Sequence, residues 1–198
     1  MANIDAPFGA RPFYHGSGGT PARTNEYDLA SGYGTAIFQG DWVSQTTDGT
    51  IIRTAAGDTT AVLGVFNGVR YRATNGEYVY SNQWVASTAT FGSENAKVIV
   101  YDDPNTRFMM QAHANFVQAD VGQFVQIVAT AGDTSSGISR ESLGDAAGGS
   151  EAQMRINRVL SVPARADTGH GNSIVGAYAI VEVMPVTHQL AGTHALEV

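Results

Sequence analysis

The chain of 198 residues has no cysteine. That excludes disulfide scaffolds, thiolate zinc sites, iron–sulfur clusters and thiol nucleophiles together. Lysine is nearly missing as well: Lys97 is the only one, and the other basic residues are arginines. Charged residues make up 15% of the chain, against about 25% in an average soluble protein. With 18 acidic and 11 basic residues the net charge is -7. Nucleic-acid binding needs clustered cations to displace counterions, so no nucleic-acid partner is expected. Long apolar runs are also lacking. The longest, near 174–184, is too short for a membrane span and is interrupted by Glu182, so no membrane partner is expected. The first residues show no basic region followed by an apolar stretch, so synthesis in a cytoplasm without a secretory signal is expected.

What replaces the missing charge is Gly (23 residues), Ala, Ser and Thr, together with eight Tyr, eight Phe and two Trp. The hydrophobic share of 43% and this aromatic content support a packed core rather than intrinsic disorder. The length suits one principal domain.

Helical periodicity is missing throughout. Short β-prone runs recur instead, at roughly ten-residue spacing with turn residues between them, which is an all-β pattern. Asp48-Gly49 separates 42–46 from 50–54 and reads as a hairpin. Asn75-Gly76 separates 69–72 from 78–80 in the same way. Further strands are expected at 62–65, 97–101, 107–111, 124–129, 153–160 and 177–184, with one helical turn near 119–122. Gly64 flags close packing or a bulge. Along 177–184, Ala179, Val181 and Val183 share one face. The segment 132–150 reads as a long loop, and 164–172 as another polar loop.

Residues 1–25 differ from the rest. Pro7, Pro12, Pro21 and the run Gly16-Ser17-Gly18-Gly19-Thr20 forbid a helix, while Phe8, Phe13 and Tyr14 are apolar anchors without a period. The expected organisation is an extended N-terminal arm (1–25), a β-rich core domain (26–185) and a C-terminal tail (186–198). The fold expected is mainly β, a small β-barrel or sandwich with long loops.

Sites of chemistry are hard to find. His188 and His194 lack the third ligand that a zinc site needs. Asp102-Asp103 with Asn105 reads as a turn after a strand, because a calcium loop needs more ligands at alternating spacing. The run 16–20 has neither the Lys nor the flanking strand and helix of a phosphate loop, and no Gly-x-Ser-x-Gly elbow occurs. No catalytic residue, metal or cofactor is expected, and the chain is not expected to be an enzyme.

The opening 1–12, with Ala6-Pro7-Phe8-Gly9-Ala10-Arg11-Pro12, resembles the start of small structural proteins of tailed bacteriophages. The likeness continues through Gly40-Asp41, Ala56-Gly57-Asp58 and Leu63-Gly64-Val65-Phe66-Asn67-Gly68-Val69. It runs on through Val100-Tyr101-Asp102-Asp103-Pro104, Ala119-Asp120-Val121-Gly122 and Tyr178-Ala179-Ile180-Val181-Glu182-Val183. The order of these short motifs also looks like that of capsid decoration (cement) proteins. The resemblance implies a virion role on the capsid surface after assembly in the host cytoplasm, with the major capsid protein as partner and self-association, commonly as a homotrimer. Another virion component, in the tail, collar or host-recognition apparatus, is the alternative. The expected contact residues are Phe8, Arg11, Phe13, Tyr14 and Arg23. Arg suits such contacts because its planar fork reaches carboxylates and backbone oxygens with two bonds.

Overall fold

The structure, a computed structural model, describes residues 3–19, 23–55, 61–147, 152–160 and 176–191. The expected turns set its local reversals. At the first, the Gly49 N–H donates to Thr46 O and φ of Gly49 is +80°, a value that favours glycine. It joins β4 (Trp42–Gln45) to β5 (Ile51–Arg53). At the second, Gly76 with φ +92° joins β6 (Gly64–Arg72) to β7 (Tyr78–Ser81).

The chain is mainly β, and no α-helix occurs among the described residues. Sheet 1 is antiparallel and contains β1 (Arg11–His15), β10 (Thr106–Gln111), β14 (Ile180–Pro185), β13 (Met154–Val159), β11 (Phe124–Val128) and β12 (Ser142–Ala147), in that spatial order. Sheet 2 runs β2 (Asn25–Leu29), β9 (Ala96–Tyr101), β6, β4, β5, with β7 also paired to β6. A small third pair joins β3 (Ile37–Phe38) to β8 (Gln83–Trp84).

Sheet 2 is buried on both faces at β4 and β6, and the period of two in strand side chains explains how. Trp42 and Val65 point toward sheet 1, where they join Phe108, Met110, Val125, Ile127, Leu143, Met154, Ile156, Val181 and Val183. Trp42 packs edge-on against Phe108 with ring centroids 4.9 Å apart. The next residues, Val43 and Phe66, point the other way into a second core with Leu29, Leu63, Trp84, Val98 and Val100. Each such large side chain contributes roughly 1.5–3 kcal/mol relative to an exposed position.

Of the two expected architectures, the sandwich of sheets describes the protein and a closed barrel does not. Sheet 2 coils until β2 and the start of β5 meet, but they share one isolated bridge, Asp28 to Thr50, rather than a ladder. Among the described residues, sheet 1 ends in two open edges, β1 and β12.

Three local expectations are corrected. The runs 62–65 and 69–72 belong largely to one nine-residue strand, β6. Asn67-Gly68 between them does not turn, because a bulge against β9 lets the strand bend and continue. The 132–150 segment is not loop throughout: β12 forms within it because Leu143, fully buried, anchors the edge of sheet 1. Asp102 is not simply a turn residue. It is buried and accepts hydrogen bonds from Tyr27 (2.5 Å) and Asn25 (2.7 Å), while Asp103 caps the turn by accepting the Asn105 N–H at 2.8 Å. The Ala56-Gly57-Asp58 turn and the 164–172 loop lie outside the described residues.

Candidate interaction surface

The five residues singled out from the sequence lie on segment 3–25, and the core holds much of that segment in place. The Gln111 side chain accepts the Ala6 N–H (3.1 Å) and donates to Ile4 O (2.7 Å). Farther along, Gly9 and Gly40 cross. A Cβ on Gly9 would stand 2.5 Å from Cβ of Ser139 and 2.7 Å from Gly40 O, so no larger residue fits. Ala10 then enters the first core at 2% exposure.

From there the chain becomes β1, the outermost strand of sheet 1. Its register with β10 shifts: Pro12 faces Phe108 and Tyr14 faces Arg107, leaving Phe13 as an extra residue. Successive residues of a regular strand point to opposite faces, and a bulge breaks that rule. Both Phe13 and Tyr14 are consequently 44% exposed, side by side at an open sheet edge. The end of β1 is fastened by His15 Nε2 to Asp103 Oδ2 (3.0 Å) and by the Gly16 N–H to Asn105 O (2.9 Å).

Phe8 is half-buried, and the exposed Arg11 guanidinium stacks over its ring at 4.8 Å. Arg11 also lines a shallow cavity of about 310 Å³ with Pro12, Gln39, Asn67, Tyr101 and Ile138. Arg23 is exposed elsewhere, over a second cavity of about 320 Å³ that includes Asn25, Asp102, Asp103 and Leu190. The structure thus pairs Phe8 with Arg11 and Phe13 with Tyr14. Arg23 stands apart from both pairs, although its cavity and that of Arg11 are lined by successive residues, Asp102 and Tyr101.

Sequence reasoning missed a second aromatic patch. Tyr78 and Tyr80 on β7 are 71% and 73% exposed. They lie opposite Arg72 and Arg70 on β6. Arg70 makes a two-pronged contact with Glu26 (2.9 and 2.7 Å), and Arg72 stacks on Phe91 at 3.9 Å. The available signal was the Tyr-Val-Tyr alternation, which puts aromatic rings where a solvated face normally carries charge.

Electrostatics around the segment are mixed. Asp103 is held below the usual carboxylate range: burial opposes this, but the Asn105 N–H, the His15 side chain and Arg23 outweigh it. Burial raises the Tyr27 hydroxyl, and its bond to Asp102 raises it further, so it stays a donor. The described residues contain no cluster of three or more His, Asp or Glu able to hold a metal ion. Compared with protein-family models, curated proteins and solved structures, the chain has no significant match in any of the three.

Proposed function

We propose that this chain is a bacteriophage virion structural protein: a capsid decoration protein that binds the outside of the major capsid shell and stabilises it. The observation that carries the reading is the bulged edge strand β1. It turns Phe13 and Tyr14 outward together, within the segment where the resemblance to phage structural proteins begins. An open edge with adjacent aromatic side chains invites pairing with another chain, and proteins normally blunt such edges unless a partner covers them. Aromatic residues and Arg are also the types enriched in protein interfaces. The net charge of -7 suits a position outside the genome rather than against it.

In this reading the partners are the major capsid protein and sister copies in a homotrimer. Linked copies bind a repeating shell by multivalency, so each contact can be weak and partly polar. The test is cosedimentation of purified protein with shells assembled from the major capsid protein. Wild-type protein is expected to pellet with shells, and a Phe13→Ser, Tyr14→Ser double variant to remain largely in the supernatant. Failure of wild-type protein to bind shells, or equal binding by the folded double variant, would overturn the proposal.

A further inference from the structure

Outside that surface, the interior holds a charge imbalance. Asp41 and Glu141 are both 0% exposed and share one guanidinium, that of Arg53. Arg53 Nε lies 3.0 Å from Asp41 Oδ2, and its Nη2 lies 3.0 Å from Glu141 Oε1. Glu141 Oε2 accepts the Trp42 N–H at 3.0 Å, and Asp41 Oδ2 accepts the Phe38 N–H at 2.9 Å. Asp41 Oδ1 is buried without a hydrogen-bond partner. One cation offsets one carboxylate. A second buried anion without its own counter-charge is strongly disfavoured, and the ordinary resolution is to keep a proton.

We propose that Asp41 and Glu141 hold one proton between them in the folded protein at neutral pH, and that this proton locks the seam where the N-terminal segment and loop 129–141 meet sheet 2. The seam is narrow. The Gly9 N–H donates to Glu141 O (3.1 Å), the Ala10 N–H to Gly40 O (2.8 Å), and Arg53 Nη2 to Thr130 O (2.6 Å). The Glu141 N–H donates to Ser139 Oγ at 3.0 Å. Losing the proton would set two anions against one cation where three segments meet.

Among the described residues, the surrounding groups do not supply a second counter-charge. Tyr33 reaches the cluster only through its hydroxyl, which accepts the Arg53 N–H at 3.0 Å. Arg140, next to Glu141, pairs at 3.4 Å with Asp133. From β3, β4 and the N-terminal segment come the backbone groups already named. Burial raises Glu141 well above the ordinary carboxylate range and the charge of Asp41 raises it further, against the pull of Arg53. Burial likewise raises Asp41, against the pull of Arg53, the Ser139 side chain and the Phe38 N–H. Because the two interact, the proton belongs to the pair.

The unfolded chain releases this proton in the ordinary carboxylate range, whereas the folded chain keeps it. Stability is therefore complete below that range and declines as pH rises toward the raised value of the pair. While the folded chain keeps the proton, the unfolding equilibrium constant should rise about tenfold per pH unit. Denaturant unfolding from pH 7 upward reads this slope, beyond the range over which His188 contributes, from its folded pKa of about 4 to the ordinary imidazole value near 6.5. Wild-type protein is expected to show the decline, and Glu141→Gln and Asp41→Asn each to flatten it. The wild-type infrared spectrum at pH 7 should contain a protonated-carboxyl band, which needs no variant to fold. Amide exchange at Gly9 and Trp42, corrected for its intrinsic pH dependence, should accelerate over the same range in wild type alone. A wild-type stability without slope, a missing carboxyl band, or a folded variant that keeps the slope would overturn the shared proton. Unchanged Gly9 and Trp42 protection would overturn the lock.

Discussion

Gly64 lies where β6 runs tight against the end of β9. A Cβ there would stand 2.1 Å from Tyr101 O and 2.9 Å from a Val100 methyl, and a backbone oxygen cannot swing aside. Gly64→Ala is therefore expected to destabilise by about 2–3 kcal/mol through forced backbone shifts. Gly34→Ala, with open space at its Cβ and no positive φ, should fall within about 0.5 kcal/mol of wild type. Urea unfolding of both variants checks the contrast. His188 gives the acid side of the pH profile. Burial lowers its pKa to about 4, against attraction by Asp102 and Asp103. An unfolded imidazole titrates near 6.5, so the unfolded chain takes up the proton first. Stability present above pH 6.5 is lost as pH falls toward 4. His188→Gln should remove roughly one proton from that slope, measured as the difference from wild type between pH 4 and 6.5. In the sequence His188 stood out only as a tail histidine without the partners a zinc site needs. Its burial depends on Val62 pairing with it across the fold, which no local pattern signals.

At the scale of elements, β1 makes folding and binding separable. Phe13 and Tyr14 point outward, so replacing both by Ser should shift stability by less than about 1 kcal/mol while weakening shell binding. Deleting residues 1–25 is a blunter test. It removes Ala10 from the first core, β1 from sheet 1 and the first residue of β2, so a clear loss of thermal stability is expected with it. Strands with a clean alternation were legible in advance. Met154 and Ile156, and Ala179, Val181 and Val183, all face the first core as their spacing required. The hairpin turns were legible because Asp-Gly and Asn-Gly carry a local conformational demand. β1 and β12 were not legible, since edge strands gain their order from one neighbour and need no alternating pattern of their own. The candidate surface was legible as a list of residues. The bulge that unites Phe13 with Tyr14, and the exposure of Tyr78 and Tyr80, depend on strand partners distant in sequence.

The whole molecule joins an acidic β sandwich to a basic and aromatic N-terminal segment. Arg11 and Arg23 are both exposed, so Arg11→Ala with Arg23→Ala should loosen the protein from shells and make the remaining binding less sensitive to salt. Retention unchanged in both respects would leave the aromatic pair as the anchor. Sedimentation of the protein alone and on shells should report a homotrimer, at least when it is bound. Decoration of the shell predicts the copy number of this chain in purified particles. It should be comparable to that of the major capsid protein. A chain present in far fewer copies than the major capsid protein would contradict it and point to the tail or collar.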